Sequence, residues 1–314
     1  MRLPPVPVTV LTGFLGAGKT TLLNRLLADP TAPPTAVIVN EFGALGIDGR
    51  LVVGASERVV ELRNGCICCE IREDLRTTAL ELLARRERFF RPARFTHLLV
   101  ESSGLATPGP LVQTFLLDPE LAAQTRVDGI VTLAHAEHVE RQLREHPEVA
   151  AQLACADLVL LNHADRADDL DATEAAVRRV APLAPVLRCV RADLPLAQLR
   201  DLGGHDASRW SIPLLDEHSA GIVTRSFRTG APVDLARIKL FLQFVASRRG
   251  PGLLRVKGIF HCRGIPTAVV AQGVHQWLEL GPIEALAPEE SALVFIGRDL
   301  DAAELQRGWE AATR

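Results

Sequence analysis

No uninterrupted apolar run of about 20 residues occurs in the 314-residue sequence, so no helix is expected to span a bilayer. The first ten residues hold one arginine and a short apolar run broken by prolines, without the long apolar centre and small-residue cleavage site of a secretory leader. An excess of either charge is also missing: the net charge is −3 and the pI about 6.3. This argues against a general nucleic-acid binder or a membrane-surface protein. There is no internal repeat and no low-complexity tract. Lysine is scarce, with only Lys19, Lys239 and Lys257 among the 35 basic residues, so a retained lysine is expected where arginine would not serve. The six cysteines do not form an evenly spaced disulfide framework. Three crowd into Cys66, Cys68 and Cys69, a pattern suited to a metal or redox site in a reducing compartment, and a cytoplasmic location is the expectation. Cys155, Cys189 and Cys262 fall in apolar contexts and read as core.

With 47% hydrophobic and 23% charged residues, the chain has the composition of an ordinary globular protein large enough for two domains. Short β-rich apolar runs alternate with helical periods over the first two-thirds. Strands are expected at 7–11, 36–39, 96–100, 129–133, 157–161 and 186–190. Helices are expected at 20–28, where Leu22, Leu23, Leu26 and Leu27 share a face, and at 70–88. Such alternation implies βαβ units and a mainly parallel, covered sheet. The pattern changes near residue 201. A linker is expected over 203–218, followed by a strand at 221–227, a helix at 233–247, three strands between 253 and 280, a strand at 293–296 and a closing helix at 301–312. The predicted organisation is therefore α/β: a P-loop nucleotide-binding domain over 1–205 and a smaller α+β domain over 218–314.

Gly13-Phe14-Leu15-Gly16-Ala17-Gly18-Lys19-Thr20 fits the phosphate-loop pattern G-x-x-x-x-G-K-[ST] and lies between a predicted strand and a predicted helix. Its glycines let backbone N–H groups curl around phosphate oxygens, and the helix N-terminus adds a positive dipole end. Lys19 would bring a compact charge to the β and γ phosphates, and the Thr20 hydroxyl would reach Mg²⁺. An acidic residue at a neighbouring strand end is needed for Mg²⁺, and Glu101 fits. The Gly104 that follows would let backbone approach the γ phosphate. The glycine-rich acidic loop from Asn40 and Glu41 to Asp48 is either a nucleotide-sensitive loop or a surface turn. Asn162-His163-Ala164-Asp165, after another strand, suits a base-recognition loop, in which Asp165 accepts from the guanine edge and Asn162 braces the loop. GTPases usually carry lysine where this chain has His163.

Cys66-Ile67-Cys68-Cys69 opens the predicted helix at 70–88, a position that lowers thiol pKa values. Thiolates here suit Zn²⁺ or a similar soft ion. Cys66 and Cys68 can converge on one ion, with a carboxylate such as Glu41, a histidine or water completing the shell. An incomplete shell suits an ion that must be released. Three small buried side chains or a redox pair are the competing readings.

Taken in order, 13–21, 40–49, 66–69, the run Glu101-Ser102-Ser103-Gly104-Leu105-Ala106-Thr107-Pro108, and 162–165 resemble the CobW-type metallochaperone GTPases. In the second half His218 to Ile222, Leu254 to Gly258, Gln272 to His275 and Phe295 to Arg298 look like that family's second domain. The resemblance implies GTP hydrolysis coupled to transfer of a metal ion, Zn²⁺ or alternatively Co²⁺ or Ni²⁺, to a metal-requiring client protein. By position it assigns Gly13, Gly16, Ala17, Gly18, Lys19, Thr20, Thr21, Gly104, Asn162 and Asp165 to the nucleotide. Lys19 and Glu101 then serve catalysis, Thr20 and Glu101 serve Mg²⁺, and Cys66, Cys68, Cys69 and Glu41 serve the transferred ion. Neither nucleic acid nor membrane is expected as a partner; a homo-oligomer is an open expectation. Ala44, His135 and His163 depart from the residues usual in the family. The competing functions are a nucleotide-gated metal sensor or store and an assembly factor for a cobalt or nickel enzyme.

Overall fold

The computed structural model describes residues 4–29, 34–39, 59–61, 68–86, 95–202, 212, 214–250 and 252–314, with backbone alone at 59–61, 68–71, 196 and 217. These fall into two compact units, Met1–Arg178 with Ala184–Gly204, and Arg179–Leu183 with His205–Arg314.

In the first unit the strands are β1 (Val6–Gly13), β2 (Thr35–Val39), β3 (Val59–Glu61), β4 (His97–Glu101), β5 (Thr125–His135), β6 (Leu158–Asn162) and β7 (Val186–Arg188). They form one seven-stranded sheet in the order β3-β2-β4-β1-β5-β6-β7, and every neighbouring pair is parallel. The helices are α1 (Lys19–Ala28), α2 (Cys68–Arg86), α3 (Gly109–Leu117), α4 (Pro119–Ala122), α5 (Val139–Glu145), α6 (Pro147–Ala154) and α7 (Leu170–Val180). Because helices cover a parallel sheet, its strands are buried along their length, as β2, β4 and β6 are at every residue. Leu22, Leu23 and Leu26 of α1 pack with Leu11, Val131 and Leu160 of the strands.

α1 starts at Lys19 and β4 ends at Glu101, each one residue from its expected boundary. β5 extends further than the apolar run suggests, from Thr125 to His135. Its polar residues are accommodated by hydrogen bonds: Thr125 Oγ1 donates to Leu121 O at 2.8 Å, and Thr132 Oγ1 to Gln152 O at 3.0 Å.

The second unit contains β8 (Asp216–Ser219), β9 (Ile222–Thr229), α8 (Leu235–Arg249), β10 (Leu253–Phe260), β11 (Thr267–Val274), β12 (Trp277–Leu286), β13 (Ser291–Gly297) and α9 (Ala302–Thr313). The six strands form an antiparallel sheet in the order β12-β11-β10-β13-β9-β8. Ile238, Phe241, Leu242 and Val245 of α8 and Leu305 and Trp309 of α9 share one core with Phe227, Val256, Phe260 and Phe295 of the sheet. Asp234 and Asp301 cap the two helices, each accepting from two backbone N–H groups of the first turn. The loop expected over 203–218 needs one correction. Asp216–Ser219 is an edge strand paired with β9, because backbone pairing does not require an apolar pattern; residues 203–211 and 213 lie outside the described residues. No helix among the described residues is long and apolar enough to cross a membrane.

Candidate functional site

β1 is central in the parallel sheet, and the chain leaves it on one side for β2 and later returns past it to β5. Ligands bind outside the carboxyl ends of strands at such a switch point. The phosphate loop emerges there. Gly13, Gly16 and Gly18 have φ of 142°, 77° and 103°, values that side chains rarely adopt. At Gly13 a Cβ would also lie 2.4 Å from Leu133 O of the adjacent β5. The loop thus folds into a backbone cradle that ends at the N-terminus of α1. Lys19 is buried at the start of this helix, and its Nζ donates to Gly13 O at 2.7 Å and to Phe14 O at 3.4 Å. The ammonium is therefore held within the loop.

Glu101 is buried at the end of β4, opposite Leu11 of β1 and Val39 of β2. The next residue fastens this strand end to the cradle: Ser102 N donates to Leu11 O at 2.8 Å and Ser102 Oγ to Thr12 Oγ1 at 2.8 Å. A Cβ on Gly104 would meet Leu15 Cδ2 at 2.6 Å and Leu15 N at 3.0 Å, so the absence of a side chain lets this loop approach the phosphate loop. Together these residues put a carboxylate and a cradle of N–H groups at one edge of the sheet, the chemistry needed for a phosphate and its Mg²⁺. Thr20 follows in the first turn of α1.

Asn162, fully buried at the end of β6, joins the cradle to the third loop. Its Nδ2 donates to Ala17 O at 3.0 Å, while its Oδ1 accepts from Ala192 N at 2.9 Å and from the Cys189 thiol at 3.6 Å. Both ends of the amide are engaged by protein, which makes Asn162 a brace. A Cβ on Gly18 would lie 2.3 Å from Asn162 Nδ2 and 3.9 Å from His163 Nε2. His163 sits in the left-handed region, φ 58°, and Asp165 is exposed in the short 3₁₀ turn Ala164–Arg166 that follows.

The sequence did not reveal a further tie. Gln152 of α6 is buried, and its Nε2 donates to Gly104 O at 3.0 Å and Ala106 O at 2.9 Å. It fixes the loop after Glu101 from the opposite side. A glutamine within the otherwise apolar run of α6 was the available signal. Histidines also gather here. His135 stacks on His163 with ring centroids 4.1 Å apart and on His138 at 4.3 Å. Burial, followed by the neighbouring imidazoles His163 and His138, lowers the His135 pKa to about 4. His146 stacks on Phe14 of the phosphate loop at 4.6 Å. His97, in contrast, is structurally paired, sharing a 2.9 Å hydrogen bond with Thr9, and burial lowers its pKa to about 3.

The expected metal ligands fall differently. Glu41 and Cys66 lie outside the described residues, as does Ala44. Cys68 and Cys69 form the first two residues of α2, two residues earlier than the expected helix start, and their side chains are not described. α2 is fastened to its neighbours by Arg72 Nη2, which donates to Gln113 Oε1 at 2.8 Å, and by Arg76 Nε, which donates to Asp118 Oδ2 at 2.6 Å. The other three cysteines are buried, and burial pushes the thiols of Cys189 and Cys262 up to about 11. They are core, as their apolar contexts indicate.

Cradle, buried acid and base loop at one sheet edge define a P-loop nucleotide-binding protein with a separate α+β unit. Residues 7–188 match the family described as CobW/HypB/UreG, nucleotide-binding domain, and residues 222–313 match the cobalamin synthesis protein cobW C-terminal domain. The chain belongs to the CobW family of P-loop GTPases. It is 30% identical to the zinc chaperone YjiA of Escherichia coli, over 96% of this chain and 97% of the relative. It is 35% identical to the zinc chaperone CobW of Pseudomonas aeruginosa, over 96% and 90%. The crystal structure of Zn(II)-bound YjiA GTPase from E. coli superposes with a TM-score of 0.77 at 26% identity, covering 99% of this chain and all of that one.

Proposed function

We propose that this protein hydrolyses GTP and uses the cycle to control the hold and delivery of a zinc ion to a metal-requiring client protein. The observation that carries the reading is the tie made by Asn162, which joins the phosphate cradle at Ala17 to the base-loop side at Ala192 and so forms one nucleotide site from two loops. Lys19 and the cradle N–H groups bind the phosphates, Asp165 accepts from the guanine edge, and Thr20 with Glu101 hold Mg²⁺. That ion, when bound, neutralises charge developing on the phosphates.

Zinc is the cargo, with Cys66, Cys68, Cys69 and Glu41 as its proposed ligands. Support comes from connectivity: β3 ends at Glu61 and α2 begins at Cys68, so the cysteine stretch follows the C-terminal end of a strand parallel to β1. Support also comes from the names of the relatives, zinc chaperones in two bacteria and a zinc-regulated GTPase metalloprotein activator in Schizosaccharomyces pombe, 30% identical over 95% of this chain. The absence of an unbroken apolar span among the described helices suits work in the cytoplasm.

Phosphate release with GTP and ATP, alongside equilibrium dialysis against zinc, tests the proposal. The expected result is GTP-selective turnover that Asp165→Ala relaxes, together with loss of tight zinc binding on replacing Cys66, Cys68 and Cys69 by alanine. Equal turnover of the two nucleotides, or unaltered zinc binding in the cysteine variant, would contradict it.

A further inference from the structure

The turn that ends β5 presents a second donor set. His135, the last residue of the strand, lies in register with Asn162 of β6, and His138 N donates to His135 O at 3.0 Å to close the turn His135-Ala136-Glu137-His138. One ligand atom from each of His135, Glu137 and His138 lies within 4.8 Å of the other two. Independently, His135 is only 6% exposed and its Nδ1 has no hydrogen-bond partner among the described residues. A buried polar atom without a partner is costly. Ring stacking accounts for the packing of His135 and His138 but does not satisfy this nitrogen.

We propose that His135, Glu137 and His138 form a second metal site, separate from the cysteine stretch, for an exchangeable divalent transition ion such as Zn²⁺ or Co²⁺. Two imidazoles and a carboxylate suit borderline ions better than Mg²⁺ or Ca²⁺. With metal–nitrogen distances of about 2.0–2.1 Å, the donors must draw together by roughly 1 Å. Glu137 and His138, whose side chains are 42% and 38% exposed, have the freedom to do so. Three protein ligands leave a fourth position for water, the arrangement of an ion that can exchange. Across the ring of His135 lies His163, 4.1 Å away and next to Asn162. His135 is thus shared between the donor set and the stack against His163.

The test is titration of the metal-free full-length chain carrying Cys66→Ala, Cys68→Ala and Cys69→Ala with cobalt chloride. One equivalent of Co²⁺ is expected to give a d–d spectrum without a thiolate charge-transfer band. Adding Glu137→Gln or His138→Ala should weaken Co²⁺ at least about tenfold. In a ¹⁵N-histidine-labelled sample, zinc should shift the ring resonances of His135 and His138. Thermal melts establish that each variant is folded, and the two substitutions are alternative probes of one site. Failure of the chain with these three cysteines replaced to bind cobalt, or affinity unchanged in both variants, overturns the proposal. The thiolate band in the unsubstituted chain reports the cysteines separately, so this site and the zinc-delivery reading fail independently.

Discussion

The two sheets bury polar residues in different places. In the parallel sheet one group lies at or just beyond the C-terminal ends of strands: Thr12 with β1, Glu101 to Ser103 with β4, His135 with β5 and Asn162 with β6, while Thr9, Thr35, His97, Thr125 and Asp128 lie away from those ends. In the antiparallel sheet Thr224, Arg255, Lys257 and Gln272 lie within strands, and Ser291 opens β13. Lys257 there faces Gln272 on one neighbouring strand and Val294 on the other, and Gln272 Nε2 donates to Glu279 Oε2 at 2.9 Å. A mid-strand group can be paired sideways within a sheet, as the Gln272 amide nitrogen is with Glu279. Groups at the ends of parallel strands converge on one edge and can be turned toward a ligand. Within the parallel sheet the buried polar residues therefore divide by location: those at the C-terminal strand ends gather around the phosphate loop, whereas Thr9, His97, Thr125 and Thr132 bond within the scaffold.

A matched pair of buried lysines gives the largest expected contrast. Lys19→Ala should reduce GTP turnover at least about a hundredfold, since it removes a charge aimed at the transferring phosphate. Lys257→Ala should leave turnover per folded molecule unchanged; an equal loss in both, measured by phosphate release, would break the comparison. Next is the apolar core of the second unit. Phe295 is fully buried and packs edge-on against Phe227 and Phe241. Phe295→Ala should cost about 3–5 kcal/mol of stability in denaturant unfolding. Asn162→Ala should cost less, about 1–3 kcal/mol, by stranding the Ala192 N–H and losing the bond to Ala17 O. It should also weaken GTP binding, measured by calorimetry, because two loops lose their common tie.

A further effect concerns pH. Burial holds the folded pKa of His97 at about 3, below its ordinary value of 6.5. The unfolded chain therefore takes up the proton first, and the stability this residue contributes is complete above about pH 6.5 and declines as pH falls toward 3. Melting temperature should drop over that window, and His97→Gln should flatten part of the drop. A wild-type curve that is flat from pH 7 to 4 would contradict this account of His97.

Much of the nucleotide end is legible in the sequence because its signals are local. Glycine spacing, a lysine kept in an arginine-rich chain and a strand–loop–helix order all occur within the stretch from Val6 to Ala28. Three buried cysteines were legible from their apolar neighbours. Long-range contacts were not. Nothing near Asn162 announces that its amide spans Ala17 and Ala192, and Gln152 meets Gly104 and Ala106 only after folding. The stack of His138, His135 and His163 likewise joins a β5 turn to a β6 loop. Strand ends were underread for a related reason: Thr125 and Asp128, ahead of the strand start expected at 129, are buried and hydrogen-bonded to neighbouring elements where an apolar pattern would not begin.

Coupling between the nucleotide and the transferred ion is the central claim, and zinc affinity measured in three nucleotide states tests it most directly. With a non-hydrolysable GTP analogue, with GDP and with no nucleotide, the purified protein should hold zinc with different dissociation constants. One and the same constant in all three states, with unaltered transfer to an acceptor, would contradict it.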